Sequence, residues 1–348
     1  MEENLLLAIF AILPVVLASV FYLYFKNDLY SLNSVRGFKL IAGNIIVFLF
    51  LLSLVVLFGE IYYRFFYDTT DSWELTKVSR KWYKKHYVLN NYGVRDSIDY
   101  NPEFQGKYRV TFIGDSFTAG HGINNVEDRF VNRIRRMRPD IEIHAFAMNG
   151  WDTYFYMLNL EKLISSGYRF NTVVLVYNLN DIADIMDKWK SILERIYSLK
   201  AGFLFENSYF FNILYYRYYI SHNREISDYF DFVTEAYEGP LWEKQKERLI
   251  MLKAMLDSRG INLMVVTFPF FNGLGQDYKY RKIHNQLDVF WKSIGVLHLD
   301  LLQIYEKYNT KDLIVNSHDV HPNVKAHSIA AEAIGQFLEK YIPKGGGI

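Results

Sequence analysis

Two long runs without a charged residue stand near the start of this 348-residue chain and set the first constraint on its fold. They are Leu5–Phe25 and Leu40–Gly59, of 21 and 20 residues. At about 1.5 Å per residue, a helix of this length crosses a hydrocarbon core of about 30 Å. Pro14 lies in the first run, where a membrane-spanning helix tolerates it. The alternatives are a signal peptide and a buried soluble helix, but the chain begins Met-Glu-Glu, without the basic start of a signal peptide. We therefore expect two transmembrane helices within residues 1–60.

The loop between these runs predicts the orientation. It carries Lys26, Arg36 and Lys39 against the single acid Asp28. Because basic loops stay in the cytoplasm, this loop is expected there, with both chain ends outside. The expected location is the cell (inner) membrane, multi-pass, with the following domain extracytoplasmic or periplasmic. An interfacial aromatic belt is predicted just after the second run, at Tyr62, Tyr63, Phe65, Phe66 and Tyr67.

Charge and composition exclude several functions. The formal net charge is +1, so no basic surface predicts a nucleic-acid partner. The chain has no cysteine, which excludes disulfides, thiolate catalysis and cysteine-based zinc sites. It has neither a Walker-type loop nor a GxGxxG motif for a nucleotide. We therefore expect no cofactor and no metal.

Residues 105–345 read as alternating strands and helices, after a juxtamembrane linker at 61–104. The alternation predicts an α/β fold with a parallel sheet and helices on both faces. The predicted strands are Tyr108–Ile113, Ile141–Ala147, Thr172–Tyr177, Ile261–Phe268 and Val296–Leu301. The predicted helices are Val126–Met137, Leu158–Ser166, Trp242–Ser258 and Asn323–Tyr341.

One aromatic-rich insert, residues 182–239, is too long for an ordinary connection between a strand and a helix. A helical cap over an active site, a membrane-resting surface and an interaction face are all open. Its aromatic residues can equally form a small core of their own.

The motif Gly114-Asp115-Ser116-Phe117 follows the first predicted strand. Ligands of open α/β sheets bind beyond the carboxyl ends of the strands, so Ser116 is a candidate nucleophile. A serine hydroxyl needs a general base, and His321 is the candidate base. Asp319, two residues earlier, is placed to orient the imidazole. A metal site at His318, Asp319 and His321 is the alternative for this segment.

Two further strand ends carry candidate oxyanion donors. The third strand ends in Asn178-Leu179-Asn180-Asp181, where the Asn180 carboxamide can donate to an oxyanion. Gly150 follows the second strand and allows its backbone N–H to approach a substrate closely. Ordinary turn formation accounts for each of these residues equally well when it is taken alone.

Together these blocks resemble the SGNH/GDSL hydrolases, membrane-linked bacterial members included. Ser116, Gly150, Asn180 and His321 match the four blocks in order, and Asn91–Asp96 resembles the lead-in segment. The resemblance implies a flavodoxin-like αβα sandwich with Ser116 as nucleophile, His321 as base and Asp319 as the acid. It also implies an oxyanion hole formed by the N–H groups of Ser116 and Gly150 and the Asn180 side chain. Two positions depart from the family pattern: His318 stands where many members have the acid, and Asn178 replaces the usual glycine of the third block.

The expected function is a membrane-anchored, extracytoplasmic serine esterase or O-acyltransferase. Its expected substrates are acyl esters, chiefly O-acetyl esters, of envelope or secreted glycans. A lipase or lysophospholipase is the first alternative, with a lipid substrate. A non-catalytic glycan-binding or scaffold module that retains the fold is the second.

Two basic clusters look like solvated faces. The run Arg133–Arg138 lies on a predicted amphipathic helix and is expected to face solvent. Lys81, Lys84 and Lys85 are expected to form no specific contact.

Overall fold

The structure is a computed structural model that describes residues 2–26, 37–275 and 277–342. The chain divides into two compact units. Unit 1 comprises Met1–Thr69, Leu75–Lys81 and Leu199–His222, and unit 2 comprises Thr70–Glu74, Trp82–Ser198 and Asn223–Ile348. Most of the loop that we predict to be cytoplasmic lies outside the described residues.

The elements of the described residues alternate along the second half of the chain. The strands are β1 (Arg109–Gly114), β2 (Glu142–Ala147), β3 (Thr172–Asn178), β4 (Asn262–Phe268), β5 (Leu297–Asp300), β6 (Ile314–Asn316) and β7 (Asp319–Pro322). The α-helices are α1 (Glu2–Phe25), α2 (Gly37–Ile61), α3 (Lys77–His86), α4 (Ser116–Ala119), α5 (Phe130–Met137), α6 (Thr153–Ser165), α7 (Asp187–Ser198), α8 (Phe203–Asn207), α9 (Tyr209–His222), α10 (Arg224–Ser227), α11 (Tyr229–Glu235), α12 (Gly239–Asp257), α13 (Arg281–Ser293), α14 (Leu302–Tyr305) and α15 (Val324–Tyr341).

In unit 1, helices α1 and α2 are each long and apolar enough to cross a membrane. They pack against each other, and most of their side chains are exposed rather than buried in a protein core. Arg64, in the π-helical turn that follows α2, donates to the Glu3 carbonyl at 3.0 Å and to the Asn4 side chain at 2.6 Å. These bonds place the start of α1 beside the end of α2, so the two helices are antiparallel. The predicted pair of long apolar helices is confirmed, and their insertion in a membrane stays a prediction.

Unit 2 is built on a five-stranded parallel sheet of order β2-β1-β3-β4-β5. This is the flavodoxin-like order, in which the chain reverses its direction of strand addition between β1 and β3. Every residue of β3 is buried, as expected for a central parallel strand covered on both faces. Alternate strand residues such as Val110 and Val174 pack with α5 and α15 on one face. On the other face Tyr177 contacts Trp291 of α13 and the Gln245 side chain of α12. The predicted αβα sandwich with a parallel sheet is therefore confirmed.

The five predicted strands agree with β1 to β5 within one or two residues. Two details differ. The predicted helix Val126–Met137 is a short 3-10 turn at Val126–Asp128 followed by α5. The segment before the last helix, for which no strand was predicted, is a two-stranded antiparallel hairpin, β6–β7. The hairpin matters because it carries His321.

The insert 182–239 is helical and is divided between the two units. Its central part, Leu199–His222, belongs to unit 1, and the remainder belongs to unit 2. In unit 2 its aromatic rings pack on one another, with Trp189 and Tyr229 at 4.8 Å between ring centroids. This packing supports the interpretation that part of the insert forms a small core of its own.

The solvated-face interpretation of the basic residues is wrong for three of them. Arg135 Nη1 and Nη2 bind the two oxygens of Asp96 at 2.9 and 2.7 Å. Arg138 binds Asp140 and is buried. In unit 1, Lys81 Nζ donates to the three backbone carbonyls of Tyr63, Arg64 and Tyr67 at 2.8–3.0 Å. A helical or juxtamembrane pattern does not reveal the partners of Arg135 and Lys81, because they lie 39 and 14–18 positions away in the chain.

Candidate active site

The turn after β1 presents Ser116 at the carboxyl edge of the sheet. Ser116 is the first residue of α4, and the Asp115 side chain caps this helix by accepting from the Phe117 N–H at 2.9 Å. The second oxygen of Asp115 accepts from Asn178 Nδ2 at 3.2 Å, which ties the end of β1 to the end of β3. Burial raises the pKa of Asp115 to about 6. A Cβ on Gly114 would lie 2.2 Å from the Thr118 hydroxyl, so the turn needs glycine there.

Ser116, His321 and Asp319 form a continuous hydrogen-bonded chain. Ser116 Oγ and His321 Nε2 are 2.9 Å apart, and His321 Nδ1 and Asp319 Oδ1 are 2.6 Å apart. Asp319 is fully buried, whereas Ser116 is 8% exposed. Because β7 is extended, residues two apart point to the same face, which explains how an acid two positions before His321 reaches its ring. A hydroxyl, an imidazole and a carboxylate in this order can act as nucleophile, base and orienting group.

A second histidine, His121, shares the carboxylate of Asp319. His121 Nε2 lies 3.1 Å from Asp319 Oδ2, and its ring stacks on His321 with 4.1 Å between centroids. Asp319 also accepts from the hydroxyls of Thr70 and Ser72. None of these three partners was found by sequence reasoning.

The loop that returns His121 to the site depends on two glycines. Gly120 and Gly122 have φ values of 75° and 80°, a left-handed conformation that favours glycine. The N–H groups of Gly120 and His121 both donate to the Ser116 carbonyl, at 2.9 and 3.0 Å. The Gly120-His121-Gly122 sequence indicates a tight loop here, but a sequence does not show which way the histidine ring faces.

A polar network surrounds the other ring nitrogen of His121. Its Nδ1 contacts the Tyr83 hydroxyl and lies 2.7 Å from Asn149 Nδ2. Tyr83 in turn donates to Glu74 at 2.6 Å, and Asn149 Nδ2 donates to Glu74 at 2.8 Å. The network therefore links the shared carboxylate to a second acidic side chain.

These contacts shift the pKa values of Asp319, His121 and His321 in different directions. Burial favours a neutral Asp319, but the two facing histidines outweigh it and hold the pKa of Asp319 well below its usual range. Burial also disfavours charge on His121, yet Asp319 and nearby Glu74 raise the pKa of His121 above its ordinary value. Burial and then His121 lower the pKa of His321, against the opposing effect of Asp319. The neutral form of His321 and the ionised form of Asp319 are thus favoured.

The remaining predicted positions, Gly150 and Asn180, lie at the same edge of the sheet. Gly150 follows β2 with a φ of 75°, and Gly114 and Ala147 are in register at the ends of β1 and β2. Asn180 follows β3, across the point where strand order reverses, which is where such sheets bind ligands. The Asn180 carboxamide lies beside the Tyr229 side chain.

Among the described residues, His121, Asp319 and His321 could together hold a metal ion, because their ligand atoms lie within 4.8 Å of one another. The contact of 2.6 Å between His321 Nδ1 and Asp319 Oδ1 is a hydrogen-bond length. Two ligands of a tetrahedral zinc ion would lie about 3.4 Å apart. The arrangement therefore fits shared protons better than a shared ion. His318, the third member of the alternative metal set, instead contacts the Ser317 hydroxyl at 3.1 Å through Nδ1.

No protein-family model matches the chain, and no curated protein matches its sequence. Among solved structures, a member of the lipolytic protein G-D-S-L family from Veillonella parvula is 12% identical, covering 68% of this chain and 98% of that one, with a TM-score of 0.41. The psychrotrophic esterase EstA from Pseudoalteromonas sp. is 13% identical, covering 68% of this chain and 99% of that one, with a TM-score of 0.42. The lipase/acylhydrolase from Enterococcus faecalis is 13% identical, covering 69% and 100%, with a TM-score of 0.41.

Proposed function

We propose that this chain is a serine ester hydrolase of the SGNH/GDSL type, anchored in a membrane by α1 and α2. The observation that carries the proposal is the unbroken contact from Ser116 Oγ through the His321 ring to Asp319. A hydroxyl, a neutral imidazole and a buried ionised carboxylate in this order are what acyl transfer to serine requires.

The proposed reaction has two stages, acylation of Ser116 and then deacylation. His321 Nε2 takes the Ser116 proton while Oγ attacks the ester carbonyl, forming a tetrahedral intermediate with a negative oxygen. The intermediate collapses, the alcohol leaves with the proton held by His321, and an acyl-serine remains. A water or an acceptor hydroxyl then gives its proton to His321 and attacks the acyl carbonyl, forming a second tetrahedral intermediate. When its bond to Ser116 Oγ breaks, His321 returns the proton to Oγ, and the acid or the new ester leaves. Asp319 stabilises the imidazolium in both halves.

The proposed oxyanion donors are the backbone N–H groups of Ser116 and Gly150 and the side chain of Asn180. All three follow the carboxyl ends of adjacent strands, in the order β2, β1 and β3. Fixed donors at the position where negative charge develops are usually the largest contribution to catalysis.

For substrate, we propose O-acyl esters of a glycan, with O-acetyl as the acyl group. Half-buried Trp73 follows Ser72, which contacts Asp319, and its ring packs edge-on against Tyr229 at 5.2 Å. Tyr229 contacts Asn180, so this aromatic pair flanks the proposed oxyanion hole. Aromatic faces beside a few polar groups are suited to the apolar face of a sugar ring.

The test is ester hydrolysis by the full-length chain in phospholipid nanodiscs. We compare hydrolysis of three esters: p-nitrophenyl acetate, an O-acetylated polysaccharide and a lysophospholipid. Adding sugar acceptors distinguishes acyl transfer from hydrolysis. Ser116→Ala should abolish acetate release. The control is Ser317→Ala, at an exposed serine between β6 and β7, and it should not. Equal acetate release by Ser116→Ala and wild type would refute the proposal.

A further inference from the structure

His121 contacts both partners of the proposed nucleophile without being required by the serine mechanism. It is 1% exposed, stacked on His321 at 4.1 Å with 27° between the ring planes, and 3.1 Å from Asp319 Oδ2. We propose that His121 is a positioning residue for Asp319 and His321, and that its charge sets the lower pH limit of the reaction. This role presupposes the ester chemistry proposed above.

The positioning effect follows from the two oxygens of one carboxylate. Asp319 Oδ1 faces His321, and Oδ2 is held by His121 and Thr70. A carboxylate bound at both oxygens cannot rotate about its side-chain bond without losing contacts. Its plane, and with it the direction of the His321 ring, is therefore fixed. The stacked ring of His121 further restricts His321 to one position.

The charge effect follows from the surroundings of His121. The titratable groups that face it are Asp319 and His321 of β7, Asp71 and Glu74 ahead of α3, and Tyr83 of α3. Three carboxylates favour a protonated His121. A positive charge stacked at 4.1 Å then opposes protonation of His321, so His321 remains a neutral base at lower pH than it would alone.

Two substitutions of His121 separate position from charge. His121→Gln keeps an N–H donor for Asp319 and removes the charge, so the acid limb of kcat/KM should move to higher pH by about one unit. His121→Phe keeps a ring but loses the donor, so kcat should fall by up to about 100-fold with KM unchanged, because the base is misplaced. Gln should restore part of the kcat that Phe loses.

Tyr83→Phe is the second test and leaves His121 in place. It removes the hydroxyl between His121 and Glu74, and should move the acid limb in the same direction as His121→Gln by a smaller amount. Thermal unfolding of each variant checks that the fold is kept. Wild-type activity with unshifted acid limbs in His121→Gln and Tyr83→Phe would overturn the inference and leave the proposed function standing. A wild type without ester hydrolysis would refute the proposed function instead.

A separate observation concerns the part of the insert that belongs to unit 1. Glu60, fully buried at the end of α2, accepts from the Ser208 hydroxyl at 2.7 Å and from the Phe210 N–H at 3.0 Å. The Phe210 ring packs against Gly59, where a Cβ would lie 2.3 Å from it. Arg217 donates to the Tyr67 hydroxyl at 2.7 Å. Helices α8 and α9 are thus fixed to the end of the α1–α2 pair.

This attachment leaves large apolar side chains exposed beside the predicted aromatic belt. Tyr218 is 65% exposed and Phe203 is 56% exposed, and Phe65 and Phe66 of the belt are exposed as well. The start of α1 and the end of α2 meet here through Arg64 and Glu3, so this is the level where a membrane-spanning pair leaves the hydrocarbon.

We infer that the segment Phe203–His222 rests on the bilayer surface, with its exposed aromatic side chains at the boundary between headgroups and acyl chains. The occupant of this apolar surface is lipid, because the surface is continuous with that of two helices suited to span the bilayer. Amphipathic aromatic side chains are enriched at this depth. The inference presupposes the membrane anchoring proposed above.

Because the chain has no cysteine, single labels can be placed without further substitution. Tyr218→Cys and Val55→Cys, each carrying a nitrobenzoxadiazole label, are reconstituted in phosphatidylcholine–phosphatidylglycerol vesicles with doxyl-labelled lipid. Val55, exposed within the last two turns of α2, reports whether the helix is in lipid. We expect lipid quenching of both labels and exclusion of iodide from both. Quenching at 55 but not at 218 would overturn the inference, and no quenching at 55 would refute membrane anchoring.

Discussion

Replacement of Asp319 by asparagine tests the proposed role of this carboxylate. Asp319 is fully buried and accepts from His321 at 2.6 Å, while His121 and Thr70 face its other oxygen. Asparagine has nearly the same shape but presents an N–H₂ group on one side. One of the two imidazoles must then face a donor instead of an acceptor.

The two orientations of the amide bound the expected loss. If its nitrogen faces His321, the ring takes the tautomer that places a proton on Nε2, and Ser116 Oγ, 2.9 Å away, meets a donor rather than a base. A wrong tautomer of this kind lowers kcat by about 10⁴-fold. If its oxygen faces His321, the tautomer is kept but the charge that stabilises the imidazolium is lost. This loss lowers kcat by about 10²-fold. Asp319→Asn should therefore cost about 3–5.5 kcal/mol of transition-state stabilisation.

The assay is kcat/KM for p-nitrophenyl acetate with the full chain in nanodiscs, on samples shown to unfold cooperatively. His318→Gln is the matched control, because His318 occupies the position where many SGNH members have the acid, and it should retain about wild-type activity. Activity of Asp319→Asn within tenfold of wild type would refute the reasoning, as would a large loss in His318→Gln alone.

Three further predictions concern stability. Asp96→Asn should lower the free energy of unfolding by about 3–5 kcal/mol in a denaturant titration, because it leaves buried Arg129 without its 2.6 Å carboxylate partner; a loss below 1 kcal/mol would contradict this. Burial opposes ionisation of Asp96 and of Asp319, yet their partners hold the pKa of each below the ordinary value. Both carboxylates therefore contribute stability that is present above about pH 4 and lost as pH falls below it. The free energy of unfolding should decrease when the pH is lowered from 7 to 3, and the decrease should be smaller in Asp96→Asn than in wild type. Gly122→Ala should cost about 1–3 kcal/mol, because φ is 80° and the new Cβ would lie 2.5 Å from Val315; wild-type stability by thermal unfolding would show that the loop relaxes.

The sheet could be predicted from the sequence because each parallel strand is a short β-rich run. β3, for example, is buried along its whole length, and its sequence Thr172–Tyr177 is almost entirely apolar. Ser116 could be selected because Gly-Asp-Ser follows the first strand. His321 could be selected because Asp-Val-His-Pro precedes the last helix. Their contact distance could not be predicted, since it depends on the β6–β7 hairpin, which no periodicity indicated.

His121 and Arg135 show what the sequence leaves out. The ring of His121 reaches Asp319 only because two left-handed glycines turn the loop back, and the partner lies 198 positions later in the chain. Arg135 fits the polar side of an amphipathic helix, yet it binds the buried Asp96 from the lead-in segment. In both cases a long-range polar partner, rather than local propensity, decides where the side chain lies.

The most direct test of the central claim is the site of covalent modification by a fluorophosphonate. Membranes carrying the wild type, Ser116→Ala and His321→Ala are treated with the probe, and the adduct is located by peptide mass spectrometry. The proposed mechanism predicts one phosphonylated serine, Ser116, in the wild type, and loss of that adduct in both variants. An adduct at another serine, or none on folded wild-type protein, would contradict the assignment of Ser116 as an activated nucleophile.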